Sequence, residues 1–146
     1  MSEAATWADC AKGFSYCQRE PSAREKAYTS KNQHNHNYHY TDIPEQETRY
    51  KPGAAGTKPY DIVQVSKYAI GVLRGVAPQA SDPAQLGRDE AVWVLAHLVG
   101  DIHQPLHVGA LYFDSACAHP VDPNTGGKAP DFNIGVTVAD TTGGND

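Results

Sequence analysis

The sequence predicts a mainly α-helical domain with long loops, and two amphipathic segments are the main basis for that prediction. In residues 61–74, apolar side chains recur at the spacing of one helix face. They are Ile62, Val65, Ala69, Ile70 and Leu73. A second, more strongly patterned helix is predicted from about residue 89 to residue 104, with an inner stripe of Ala91, Leu95, Leu98 and Ile102. Residues 51–59 and the stretch from Leu111 onward contain many glycines and prolines, which is typical of loops.

The other predicted elements are shorter. A short helix is expected at residues 7–14, and KPGAAGTKP at residues 51–59 is expected to form a loop. Residues 75–83 break the first long helix, and Asp82 and Pro83 fit the N-cap and first-turn proline of the second. Pro105 ends or kinks that second helix. From Leu111 onward we expect a long surface loop with no capping element, so the predicted fold is incomplete.

Length and composition indicate one soluble domain over residues 1–146. The chain is 40% hydrophobic and 20% charged, which is ordinary for a globular protein of this size. No apolar run approaches the ~20 residues that span a bilayer, and MSEAATWADC lacks the regions of a signal peptide. The net charge of −5 argues against a broad basic face for nucleic acid, although bound metal ions would supply positive charge locally. We expect no membrane partner and no obligate protein partner.

The three cysteines form no CxxC metal-binding pattern. Cys10 and Cys17 can pair in an oxidising compartment, which would leave Cys117 without a partner. The spacing alone leaves both the paired and the unpaired state open.

The strongest chemical signal is the string HLVGDIHQPLH at residues 97–107. His97 and Asp101 are four residues apart, so on a helix they lie on one face, one turn apart. An imidazole and a carboxylate in that geometry can chelate one zinc ion. A bare HxxxD pair is more often an exposed ion pair, but the whole string inside an apolar helix favours a metal site. His103 points elsewhere on the helix, whereas His107, beyond Pro105, could reach a different metal.

A second histidine cluster comprises His34, His36 and His39. In an extended strand, the first two would lie on one side and His39 on the other. Any of the three could be a ligand, although such a tract on its own is more often a solvated polar loop. Near the start, Asp9 is a lone carboxylate beside a tryptophan, and it gains interest only in combination with the other motifs.

Together these motifs resemble the zinc-dependent single-strand nucleases of the S1/P1 nuclease family, within the phospholipase C/nuclease P1 fold superfamily. The matching strings are WAD at 7–9, HYTDIP at 39–44, DIV at 61–63, HLVGDIHQPLHVG at 97–109 and GGN at 143–145. The string at 97–109 is highly specific, whereas WAD and GGN would be weak alone. The long insertion between Gly109 and Asp140 resembles bacterial members. The resemblance implies a mainly α, phospholipase C/nuclease P1-like helical fold.

The resemblance also implies three zinc ions in a cleft. Asp9, His39, His97 and Asp101 would hold one zinc ion, with Asp9 and Asp101 as the catalytic carboxylates. Asp101 would bridge to a second zinc, whose other ligands are an N-terminal tryptophan and a histidine. His107 would hold a third zinc with a downstream histidine and aspartate. Because the other ligands of the second and third ions have no match in the sequence, the resemblance implies a fragment that lacks the N-terminal tryptophan and the C-terminal part, with one zinc site complete.

The implied activity is hydrolysis of single-stranded DNA or RNA to 5′-nucleotides, with 3′-nucleotidase activity as an addition. A metal-bound hydroxide would attack phosphorus while another zinc stabilises the departing 3′ oxygen. Asp42, His103 and Asn145 are interpreted as residues that support the ligands or face the substrate. With two zinc sites incomplete, the 146-residue chain is expected to cleave poorly. The alternatives are a zinc phospholipase C-like enzyme and an inactive zinc-binding fragment. The resemblance implies a secreted or periplasmic location.

Overall fold

A computed structural model of the chain describes residues 2–13, 17–114 and 119–125. In these residues the backbone is mainly helical, which confirms the predicted fold class. The α-helices are α1 (Ser2–Ala11), α2 (Ala23–Lys31), α3 (Ile62–Leu73) and α4 (Arg88–Asp101). Two short 3₁₀ helices span Asn35–His39 and Pro105–His107, and two-residue strands β1 (Ile43–Pro44) and β2 (Gly109–Ala110) pair in parallel.

Helix α4 is the central element, because it packs against both α1 and α3. Its buried apolar residues are Ala91, Val94 and Leu98, so the inner stripe differs from the predicted one. Ile102 is 38% exposed and lies just beyond the end of the helix. The buried stripe continues toward the C-terminal end of α4 with two polar residues, His97 and Asp101. Because burial of unpaired polar groups is costly, this imidazole and this carboxylate require polar partners at that end of the helix.

The boundaries of the two long helices follow from their caps. Asp61 begins α3 as predicted, since its carboxylate accepts the backbone N–H groups of Val63 and Gln64. For α4, the predicted start near residue 89 agrees with the observed start at Arg88, but Asp82 and Pro83 do not cap the helix. The Asp82 carboxylate instead accepts the N–H of Gln79 within the preceding loop. The helix begins after Gly87, whose N–H donates to the Glu90 carboxylate at 2.8 Å.

Two further elements differ from expectation. Helix α1 begins at Ser2 rather than at residue 7, and it ends at Ala11. The second difference is α2, which sequence patterning missed. Its signal was present as a capping box: the Ser22 side chain accepts the N–H of Glu25, and Glu25 accepts the N–H of Ser22. Cys10 and Cys17 form a disulfide, which ties the end of α1 to the chain leading into α2.

The segments around residues 40 and 60 are held together by a buried carboxylate and a tight loop. The Asp61 side chain accepts a hydrogen bond from the Thr41 hydroxyl at 3.4 Å and from the Tyr50 hydroxyl at 3.0 Å. The N–H of Asp42 donates to the carbonyl of Gly56 at 2.9 Å. A Cβ at Gly56, whose φ is +78°, would lie 1.8 Å from the Asp42 carbonyl oxygen, so only glycine fits there. The predicted loop at 51–59 therefore fixes the backbone that follows His39.

Residues 111–114 and 119–125 contain no helix, in agreement with the predicted loop; an isolated antiparallel bridge joins Phe113 to Pro120. Cys117 and the GGN motif with Asn145 lie outside the described residues. None of the helices in the described ranges is long and apolar enough to cross a membrane.

Because of Glu25, the free energy of unfolding of the domain should decrease at low pH. Its side chain is fully buried, and hydrogen bonds from Arg19 outweigh burial to lower its pKa from 4.5 to about 2. A carboxyl with a lowered folded-state pKa stabilises the fold above its unfolded pKa and loses that stabilisation as pH falls. Between pH 4.5 and 2 we expect Glu25 to account for a loss of about 2 kcal/mol in the free energy of unfolding, discounted for the partly exposed Arg19.

The measurement is urea unfolding from pH 2 to pH 7 for Glu25→Gln, with Glu20→Gln as the control because Glu20 is exposed. The Glu25 variant should show a flatter acid dependence than the parent. An identical acid dependence in the parent and in Glu25→Gln would refute this assignment.

Candidate metal centre

Four polar side chains from three separate elements meet at one end of α4. Asp9 lies in the last turn of α1, and His39 ends the 3₁₀ helix Asn35–His39. His97 and Asp101 lie one turn apart on the inner face of α4. His39, His97 and Asp101 are buried, with exposed fractions of 3%, 5% and 7%, and Asp9 is half-buried. We call these four residues the polar cluster.

The distances within the polar cluster suit a small cation. Asp101 Oδ2 lies 3.0 Å from His39 Nδ1 and 2.9 Å from His97 Nε2. Asp9 Oδ1 lies 3.5 Å from each of the same two nitrogens, which are themselves 2.8 Å apart. In a tetrahedral zinc site with bonds of ~2.0–2.1 Å, neighbouring ligand atoms are about 3.3 Å apart. The two Asp9 distances match this spacing. The three shorter distances, among Asp101, His39 and His97, would have to increase by a few tenths of an ångström to reach it.

The ring orientation of His97 is set by the backbone of α1. Its Nδ1–H donates to the carbonyl oxygen of Ala5, so Nε2 is the ring nitrogen that faces the other cluster members. A hydrogen bond of this kind on the outer nitrogen fixes both the tautomer and the direction of a metal-binding imidazole. Helix α1 therefore contributes twice to the site, through the Asp9 carboxylate and through the Ala5 carbonyl.

Burial and mutual contact shift the pKa values of the polar cluster in different directions. Burial lowers the pKa of His39 to about 4, although the bond to Asp101 opposes this shift. Burial also disfavours the charged form of His97, but the bonds to Asp101 and Asp9 outweigh it and raise its pKa to about 10. For Asp101, the bonds to both histidines overcome burial and lower its pKa to about 2. In the metal-free protein a proton on His97 thus balances carboxylate charge, and a cation would take its place.

Sequence reasoning missed Lys12, which lies next to the polar cluster. Its ammonium is 3.2 Å from Asp9 Oδ1, and its side chain is only 6% exposed. Burial lowers the pKa of Lys12, while the nearby Asp9 carboxylate opposes that shift. The only signal in the sequence was the i,i+3 spacing from Asp9, which places the two side chains on one face of a helix. A buried ammonium next to a carboxylate brings further positive charge to this side of the site.

Four histidines that the sequence analysis considered, His34, His36, His103 and His107, are not members of the polar cluster. His34 and His36 are exposed, and the predicted strand alternation for them is wrong, because residues 35–39 form a 3₁₀ helix. His103 is exposed as well, and its Nδ1–H donates to the carbonyl of Val99 within the same helix end. His107 is outside the cluster but next to it, since its Nδ1–H donates to the backbone carbonyl of His39 at 3.0 Å.

Asp42 lies three residues beyond His39 and is half-buried. The hydroxyl of Tyr112 donates to its backbone carbonyl at 2.8 Å. Burial raises the pKa of its side chain to about 7, although Lys58 opposes that shift. Its Oδ1 is buried without a hydrogen-bond partner. This is a polar atom that still has capacity for a ligand or a water.

The ligand atoms of Asp9, His39 and His97 all lie within 4.8 Å of one another, and one Asp101 oxygen lies within 3.0 Å of both histidines. Two imidazoles and carboxylates, buried at the junction of three elements, are a ligand set of the kind that zinc prefers. The polar cluster therefore contains the residue types that a metal-dependent hydrolase requires.

The sequence model of the S1/P1 nuclease family matches residues 1–145, and the chain belongs to this family. Membership supports a nuclease activity in general, that is, hydrolysis of nucleic acids in a family that is zinc-dependent and typically secreted. No curated protein and no solved structure matches the chain.

Proposed function

We propose that Asp9, His39, His97 and Asp101 hold a zinc ion and that the site hydrolyses phosphodiester bonds of single-stranded DNA or RNA to 5′-nucleotides. The single observation that supports this most strongly is the meeting of the four side chains in a member of a nuclease family. When bound, zinc would lower the pKa of a water molecule and neutralise charge on the phosphate. The proposal includes hydrolysis of 3′-nucleotides, because their phosphate is also bound as an ester to the 3′ oxygen.

The protein groups have separate tasks in this proposal. His39 and His97 offer neutral ring nitrogens, because the Ala5 carbonyl keeps the outer proton of His97 while the inner one is released. Asp9 and Asp101 supply the negative charge that balances a dication. Asp42, with an unpartnered buried oxygen and a pKa near 7, is suited to accept a proton or a hydrogen bond on the substrate side.

The location of the enzyme and the further zinc sites are also proposals. A disulfide between Cys10 and Cys17 suits an oxidising compartment, which supports secretion or a periplasmic location. His107 would be a ligand of a further zinc through Nε2, and Asp101 would bridge to another. Asn145 remains a candidate for the substrate side. We place His103 outside the reaction, since it is exposed and bonded to its own helix end.

The test is hydrolysis by the purified chain after chelator treatment and again after zinc is restored. Substrates are a single-stranded oligonucleotide, the same sequence as a duplex, and phosphatidylcholine vesicles. We expect slow zinc-dependent cleavage of the single strand by this chain, with 5′-phosphate products and at a higher rate than cleavage of the duplex. Turnover of the vesicles instead would support the phospholipase C-like alternative. Zinc binding without turnover of any substrate would support an inactive metal-binding domain.

A further inference from the structure

Residues 39–45 and 105–110 lie side by side and are joined by several hydrogen bonds. The N–H of Thr41 donates to the carbonyl of His107 at 2.9 Å, and the N–H of Glu45 donates to the carbonyl of Ala110 at 3.1 Å. Between these two bonds, β1 and β2 pair in register, with Ile43 opposite Gly109. These two backbone bonds fix the spacing of the segments, but neither of them engages the carbonyl of His39.

One side-chain bond acts directly on that peptide group. His107 Nδ1–H donates to the backbone carbonyl oxygen of His39 at 3.0 Å. His107 is therefore bonded to this segment twice: its carbonyl accepts the N–H of Thr41, and its ring donates to the carbonyl of His39, two residues earlier. His39 is almost completely buried and reaches the polar cluster through Nδ1, so a small rotation of its backbone would move that nitrogen away from Asp101.

We propose that His107 is a positioning residue for His39: through Nδ1 it fixes the backbone from which the His39 ring enters the polar cluster, and so raises the affinity of that cluster for zinc. This inference rests on the proposed metal site but adds a role that is separate from direct ligation by His107. Because Nδ1 bears the proton in this bond, Nε2 of the neutral ring keeps its lone pair. One ring can thus support the first site with one nitrogen and offer the other to a second ion.

The two nitrogens can be separated by substitution, because amide side chains mimic one ring nitrogen each. In His107→Asn the amide nitrogen takes the place of Nδ1 and can still donate to the His39 carbonyl, but nothing replaces Nε2. In His107→Gln the amide group reaches the place of Nε2, and the donor at Nδ1 is lost. His107→Phe keeps a ring and removes both. His103→Phe is the matched control, because His103 is an exposed histidine on the same stretch of chain.

The experiment measures the zinc affinity of the tightest site by competition with a chromophoric chelator, on the full 146-residue chain. Loss of an outer hydrogen bond to a metal site typically costs 10–100-fold in affinity. We therefore expect a loss of about that size in His107→Gln and His107→Phe, with affinity close to the parent in His107→Asn and His103→Phe. In metal-free protein, the NMR signals of the His39 ring should shift in the Gln and Phe variants and stay in place in the Asn variant.

The outcomes distinguish the possibilities. Parent-like affinity in His107→Phe would overturn the proposal, as would equal losses in the Asn and Gln variants. If the parent protein binds no zinc, the proposed function fails, and the NMR comparison still decides whether His107 positions His39.

Discussion

Replacing His39 by alanine should abolish tight zinc binding, while replacing His36 should leave it unchanged. His39 is buried and lies within 3.0–3.5 Å of Asp101 and Asp9, whereas His36 is exposed on the same 3₁₀ helix. Since loss of an indirect support costs 10–100-fold in affinity, loss of a direct ligand should cost more than about 100-fold. Hydrolysis of a single-stranded oligonucleotide should fall at least in proportion.

Zinc titration and thermal unfolding together test this expectation. A ligand present at 100 times its Kd stabilises the folded state by about 2.7 kcal/mol. Zinc should therefore raise the melting temperature of the parent and of His36→Ala, but not that of His39→Ala. Circular dichroism of the metal-free variants checks that each one is folded. If both variants lost zinc equally, the tract as a whole rather than His39 would determine binding.

The parts of the fold that sequence predicted best are those whose signal is local. Helix α3 follows from apolar side chains that recur at helical spacing between Ile62 and Leu73, and the Asp61 side chain that caps it lies directly before its first residue. The same is true of the pair His97 and Asp101, because residues four apart on a helix lie on one face, one turn from each other. Where the local signal was read wrongly, as at Asp82, the side chain formed a competing bond in the loop.

The rest of the site depends on contacts between distant residues. His39 and Asp101 are 62 positions apart, and the Ala5 carbonyl and His97 are separated by 92. No periodicity connects such residues, so the selection of Asp9 and His39 came from the family resemblance. Lys12 was missed because its importance comes from burial beside Asp9, which a spacing of three residues does not reveal. The bond from His107 to a backbone carbonyl has no sequence signature.

Asp101 is the member of the polar cluster whose negative charge should matter most. One of its oxygens, Oδ2, contacts both His39 and His97, at 3.0 and 2.9 Å. Its pKa is about 2, because the bonds to both histidines outweigh burial, so the carboxylate is ionised throughout the neutral range. Asp101→Asn keeps the size and shape of this side chain and removes its charge. The substitution therefore tests the electrostatic role rather than packing.

We expect Asp101→Asn to weaken zinc binding more than about 10-fold and to reduce phosphodiester hydrolysis by about 10²–10³, the usual cost of losing one electrostatic stabiliser. In metal-free protein the pKa of His97 should also fall from about 10, since the bond to the Asp101 carboxylate is one of the contacts that raise it. Histidine NMR titration from pH 5 to pH 10 measures this directly. Asp89→Asn is the control, because the Asp89 side chain on the same helix is 87% exposed. Unchanged zinc affinity together with an unchanged His97 titration would show that Asp101 contributes shape rather than charge to the site.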